Sequence, residues 1–302
     1  MPTTVTAANS FWVFLCCSQE PRHLHDVLFG VSVLRDRGVP DARIAIFVDH
    51  DQPDAHLAPY NVATIPFAEL APRLAVAPAS EVVVAVVAGH GAELGLVPKG
   101  AGAPFQPAAL FAAIRSVPEM QVGVAVLTQC FGGIFNYTDA DTKPPLVVMG
   151  GASLNLSLSM PVRLSGPLLQ ASGAPGLKEW SANVFSYDFF EWVGAPRDVD
   201  GDGAVTILDA FKYAGARSNG RVRESKMMSF VGAQKGVLAT QAAFDSLQAA
   251  LKTTPPSPDL PTKQLTFDAA ITQLQEQVEF LYSNHEPWIL NARLARALAF
   301  SL

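Results

Sequence analysis

The first half of the chain is punctuated by five short apolar runs, residues 11–17, 43–49, 81–88, 121–128 and 145–150. They are continuous rather than alternating, rich in Val and Ile, and bounded by turn residues, the pattern of strands buried on both faces of a parallel sheet. Between them the period lengthens to that of a helix. Residues 26–37 (DVLFGVSVLRDR) close on the stop signal Gly38-Val39-Pro40, and residues 107–116 (PAALFAAIRS) end before Pro118. Strand and helix in alternation imply right-handed crossovers. The expected fold is therefore α/β, an open, mostly parallel sheet with helices on both faces.

Beyond residue 160 the pattern is mixed. A Gly/Pro/Ser-rich stretch precedes an apolar amphipathic segment at 180–193, an acidic loop at 198–209, a helix from about 206 and a further helix at 236–252. The prolines of 253–261 (TTPPSPDLP) fix φ and remove donors, which reads as a stiff linker. Past it, Phe267, Ile271, Leu274, Val278 and Leu281 recur at helical spacing, followed by an apolar run at 288–302. The expected division is a main domain at 1–252 carrying the loop 198–209, a linker at 253–261 and a C-terminal helical segment at 262–302.

Composition narrows the functional classes. With 302 residues, 49% hydrophobic and 16% charged, the chain can bury a full core. Its 21 basic and 27 acidic side chains leave a net charge of −6 and no basic run, which argues against nucleic acid and anionic membrane as partners. Cys16, Cys17 and Cys130 are an odd set with no disulfide framework, so a reducing, cytoplasmic compartment is expected. No positively charged leader precedes residues 11–17, a run too short to span a bilayer.

Two of the expected strands end in reactive side chains, VVVAVVAG-His90-Gly91 and VAVLTQ-Cys130-Phe-Gly-Gly133. In an open α/β sheet the ligand crevice lies outside the carboxyl ends of the strands, so residues following two neighbouring strands share it. A thiol needs a base or cation to become thiolate, and an imidazole can supply that and later protonate a leaving amine. Gly91 allows close backbone approach, and the N–H groups of Gly91 and Cys130 are the candidate oxyanion donors. Singly, a strand-end Cys reads equally well as a small buried hydrophobe and a His as a structural group. The pair carries the argument. A Cys-dependent α/β hydrolase competes, but that fold orders its residues nucleophile, acid, His, and the only later histidine here is His285, beyond the prolines. The glycines at 100 and 102 lack the third glycine of a dinucleotide fingerprint.

His-Gly after one apolar strand and Gln-Cys-x-Gly-Gly after the next resembles the caspase-like clan of cysteine peptidases. Within it the legumain branch is most similar, through Pro21-Arg22-His23-Leu-His-Asp26, then Gly38-Val-Pro-Asp41-Ala-Arg-Ile44 and a strand ending Val48-Asp49. The likeness covers roughly residues 10–215. It implies a caspase-like sheet, with Cys130 as nucleophile, His90 as base, and Gly91 with Cys130 as oxyanion donors. Arg22, with His23 beside it, would line the specificity pocket, and Ser153 and Asn155 another wall of it. An arginine there favours cleavage after a polar or acidic residue; as a solvated cation or a partner of Asp26 it would not. Gln129 stands where legumains carry an acidic residue, which leaves Asn against Asp open. The implied partners are a protein or peptide substrate and, in one reading, an activating protein. The non-enzyme alternative is a silent caspase-like interaction module.

The loop Asp198-Val-Asp200-Gly-Asp202-Gly203-Ala204-Val-Thr-Ile-Leu-Asp209 follows a calcium-loop pattern, with carboxylates at positions 1, 3, 5 and 12 and glycine at 6. Asp198, Asp200, Asp202, the carbonyl of Ala204 and Asp209 are the candidate ligands for a structural Ca²⁺, with Mg²⁺ as the alternative cation; Asp in the twelfth position resembles dockerin loops. An Asp/Gly turn capping the next helix is the plainer reading.

Overall fold

The computed structural model describes residues 3–99, 104–164, 177–255, 257–282 and 286–302. All five apolar runs form strands: β1 (Ser10–Cys17), β2 (Ile44–Asp49), β3 (Val82–Gly89), β4 (Val122–Leu127) and β5 (Leu146–Gly150). They pair in parallel in the order β5-β4-β3-β1-β2. Ile65–Pro66 adds a short parallel edge beside β2. A hairpin of β6 (Ser159–Arg163) and β7 (Glu179–Asn183) stands apart from the sheet.

Side chains alternate along each strand, so one sheet presents two apolar faces. Trp12, Phe14 and Cys16 pack with Leu24 and Leu28 of α1 (Pro21–Asp36), and Phe111 and Ile114 of α2 (Pro107–Arg115) pack on the opposite face with Val13, Leu15 and Cys17. The first face also takes Phe189 and Phe190 of α3 (Val184–Gly194) and Ile207 and Ala210 of α4 (Ile207–Leu251). Burial on both sides explains why these strands read as continuous rather than alternating runs. Proline opens α1 and α2, where its missing N–H costs nothing.

The C-terminal third departs from expectation. The helices expected from 206 and at 236–252 are one 45-residue helix, α4, because its glycines lower helix propensity without breaking the backbone. The expected linker ends early, at the start of α5 (Leu260–Tyr282), where Pro261 suits a first turn. Nor is 262–302 a helical segment throughout. β8 (Trp288–Leu290) pairs antiparallel with β5 as the far edge of the seven-stranded sheet, and Ala299–Phe300 pairs with Thr4–Val5. A three-residue apolar strand cannot be told from helix by periodicity.

Two compact units result, Met1–Gly220 with His285–Leu302, and Arg221–Asn284, instead of a boundary at 252. In the second unit the end of α4 runs antiparallel to α5: Phe244 meets Phe267 with ring centroids 5.5 Å apart, and Thr240 Oγ1 donates to the Ala270 carbonyl. Residues 100–103, where the incomplete glycine motif falls, and His285 lie outside the described residues. No helix among the described residues is long and apolar enough to cross a membrane.

Candidate active site

Two adjacent strand ends build the site. β3 closes on Gly89 with φ 122°, and a Cβ there would stand 2.4 Å from the Cys17 carbonyl oxygen, so the position requires glycine. The next N–H, of His90, donates to that same carbonyl at 3.0 Å. After β4, the N–H and hydroxyl of Thr128 both donate to the Val87 carbonyl, at 3.2 and 2.6 Å, which turns Gln129 and Cys130 toward β3. Gly91 then meets them directly: a Cβ on it would lie 2.1 Å from the Cys130 carbonyl oxygen and 2.6 Å from Gln129 Cγ. Side chain and main chain thus crowd His90-Gly91 against Gln129-Cys130.

The imidazole is held from the start of α1. Nε2 of His90 lies 2.8 Å from Glu20 Oε1, while Glu20 Oε2 accepts from Arg22 Nε at 2.5 Å. Arg22 reaches onward, Nη1 donating to Ser159 Oγ at 2.6 Å. The Arg22 hydrogen bond is the main reason the Glu20 carboxyl sits below its ordinary pKa, so the group facing His90 is a carboxylate. His23 lies edge-on to His90, ring centroids 5.2 Å apart, with Nδ1 2.6 Å from Ser18 Oγ. Burial first, then the neighbouring Arg22 and His90, pushes its pKa down to about 3, which keeps it neutral.

Cys130 is the half-buried thiol of the three, and its Sγ accepts from the Ser157 N–H at 3.3 Å. Cys16 and Cys17 are buried in the sheet, where desolvation raises both thiols and disfavours thiolate. Ser157 is fixed in turn by Asn183, whose Nδ2 donates to Ser157 Oγ and to the Thr128 carbonyl, both at 2.7 Å. The other end of that amide, Oδ1, caps α3 by accepting from the N–H groups of Phe185 and Ser186. Beneath lies Asp26, enclosed and accepting from Trp180 Nε1 at 2.8 Å and the Asn183 N–H at 3.3 Å. Burial pushes its pKa up to about 7 despite those two bonds.

The chain matches no protein-family model and no curated protein sequence. Of the residues expected from sequence, His90, Gly91, Cys130, Arg22 and His23 come together, and Arg22 pairs with Glu20 rather than Asp26. Ser153 and Asn155 take part through their main chain, their carbonyls accepting from Gly133 and Phe131 and so shaping the turn after Cys130. Glu20, Ser157 and Asn183 were not anticipated. Glu20 stood two residues before the Arg-His pair, yet only the fold shows that it faces His90.

Two groups among the described residues bring ligand atoms within 4.8 Å of one another: Glu20, His23 and His90, and Asp198, Asp200 and Asp202. In the first, the carboxylate already serves Arg22 and His90. In the second, Asp198 accepts from the N–H groups of Gly201 and Gly203 at 2.7 and 2.9 Å, wrapping the loop around its carboxylate. Asp209 stands apart from the triad: its oxygens accept from the N–H groups of Val199, Asp200 and Thr206 and from the Thr206 hydroxyl. Ala204 donates its N–H to Asp202. Lys212 and Arg296 pair with Asp200.

A cavity of about 650 Å³ opens at the end of β2, lined by Val48, Asp49, Phe67, Leu70, Lys99 and Phe105 among others. Asp49 is in register with Cys17, and Cys17 with Gly89. Two strand spacings, about 10 Å, therefore separate the cavity's Asp49 from the backbone that carries His90. It lies on the side of His90 away from Cys130.

Proposed function

We propose that the protein is a cysteine endopeptidase of caspase-like, legumain-type architecture, working in a reducing, cytoplasmic compartment. One observation carries the reading: a half-exposed imidazole bonded to a carboxylate, and a half-buried thiol bonded to a backbone N–H, on turns in direct contact at the carboxyl ends of adjacent parallel strands. Cys130 stands alone among the three thiols in being accessible, and all three are free.

In the reaction His90 takes the Cys130 proton, and the thiolate adds to the substrate carbonyl carbon, moving the π electrons onto oxygen. The N–H groups of Gly91 and Cys130 hold that oxyanion; no hydrogen bond among the described residues engages the Cys130 N–H. Collapse breaks the C–N bond, the amine leaves with the proton from His90, and a thioester remains. His90 then deprotonates water, hydroxide adds, the thiolate departs and the carboxylic acid is released. Glu20 is a positioning residue that stabilises the imidazolium. Arg22, 29% exposed beside it, favours a polar or acidic residue before the cut. Because the amine leaves past the proton donor, the cavity beyond His90 would receive an apolar residue after it.

The carboxylates of Asp198, Asp200 and Asp202 suit a hard cation in donor type and spacing, and Ca²⁺ there would clip the loop that starts α4. Asp209 ties the loop backbone instead. Labelling with a peptidyl acyloxymethyl ketone tests the proposal: modification at Cys130, lost in His90→Ala and absent from Cys16 and Cys17, supports it, whereas no labelling of Cys130 speaks for the silent interaction module.

A further inference from the structure

The second unit, residues 221–284, cannot enclose a core of its own. Among its described residues the buried apolar side chains are Val222, Ala233, Leu247 and Ala250. Against these, nine large apolar side chains are exposed: Met227, Met228, Phe230, Val231, Val237, Leu238, Phe244, Leu251 and Leu265. The described residues of the rest of the chain, several times as many, expose seven of that kind. Single exposed hydrophobics are ordinary, but a concentration on one helix pair marks an interaction face.

The order within this set is specific. Phe230, Val237, Phe244 and Leu251 fall seven residues apart along α4, exposed by 53, 54, 40 and 53%. Four positions at a strict heptad cover about 31 Å of helix and make a seam fit for packing against another helix; at Phe244, which also meets Phe267, the seam borders the contact between α4 and α5. Val231 and Leu238 repeat at the same interval beside it.

We infer that this face is the contact between two copies of the chain, joined through their helix pairs as a four-helix bundle. Size, charge and symmetry support that occupant. A fully buried side chain of this type removes about 60–120 Å² of apolar surface, so the seven on one side of α4 (Met227, Phe230, Val231, Val237, Leu238, Phe244 and Leu251), 40–72% exposed, offer on the order of 350 Å². That approaches the apolar share of one side of a standard interface of about 800 Å². Between 221 and 284, Lys and Arg number six and Asp and Glu six, so two copies meet without net repulsion although the whole chain carries −6. The same neutrality disfavours an anionic membrane, which selects amphipathic helices rich in Lys and Arg. A two-fold axis places each heptad row against its equivalent, and two helix pairs are the smallest arrangement that closes such a core.

Sedimentation of the full chain at concentrations on the order of 10–100 μM reads the outcome directly. The expected mass is twice 32.1 kDa, and a Phe230→Lys/Val237→Lys variant dissociates at least about 100-fold more readily with unchanged circular dichroism. Leu238→Lys alone, 72% exposed, makes the same test should the double variant fail to fold. A monomeric wild type across that range, or variants that associate as it does, overturns the inference. So does a monomer that pellets with phosphatidylcholine/phosphatidylserine vesicles, which assigns the face to lipid.

Discussion

Glu20 Oε1 lies 2.8 Å from Nε2 of His90, and the same carboxylate accepts from Arg22 through its other oxygen. One side chain thereby couples the imidazole to the cation expected to read the substrate.

Glu20→Gln keeps the size and removes the charge. A hydrogen bond to a charged group contributes about 1.5–3 kcal/mol, so kcat falls roughly 10- to 100-fold with KM little changed. An unchanged kcat, with stability alone reduced, would show Glu20 to be structural only.

Asn183 joins the thiol loop to α3 by donating to Thr128 and Ser157 and capping with its other end. Losing a cap costs about 1 kcal/mol, and stranding buried partners about 1–3 more. Asn183→Ala is expected to lower urea stability by about 2–4 kcal/mol and to slow alkylation of Cys130, since the Ser157 N–H loses its support.

Asp26 sets a pH dependence of stability. Its carboxyl rises from an ordinary 3.8 to about 7 in the folded chain, so the native state holds the proton more tightly than the unfolded one. The contribution is complete below about pH 4 and is lost as pH rises through 7, at no more than about 1.4 kcal/mol per pH unit. Denaturant unfolding at pH 5 and 8 should show wild type losing more stability than Asp26→Asn across that window; equal losses would contradict the assignment.

The proposed calcium ion would compete with Lys212 and Arg296 for Asp200. Calorimetric titration should find tighter binding in Lys212→Ala and at least about tenfold weaker binding in Asp198→Asn. At one hundred times Kd, calcium stabilises the fold by about 2.7 kcal/mol. No heat and no shift in Tm, in Lys212→Ala as well, would reduce the loop to a helix-capping turn.

The five parallel strands were legible because burial on both faces leaves continuous Val-rich runs, and the strand-end His and Cys were legible because topology alone brings them together. Glu20 and Asn183 were not, since each acts across about 70 and 55 residues of sequence through contacts no local period encodes. β8 was hidden for a related reason: its three residues owe their conformation to pairing with β5. The join of the two expected α4 helices was obscured by Gly220, Gly232 and Gly236, which weaken the pattern of a helix that nonetheless runs through.

Cleavage of a peptide library by wild type and Cys130→Ala, with and without calcium, tests the central claim most directly. The account predicts cutting after polar or acidic residues, lost in Cys130→Ala. No cutting by wild type in either condition, or cutting that survives in Cys130→Ala, would contradict it.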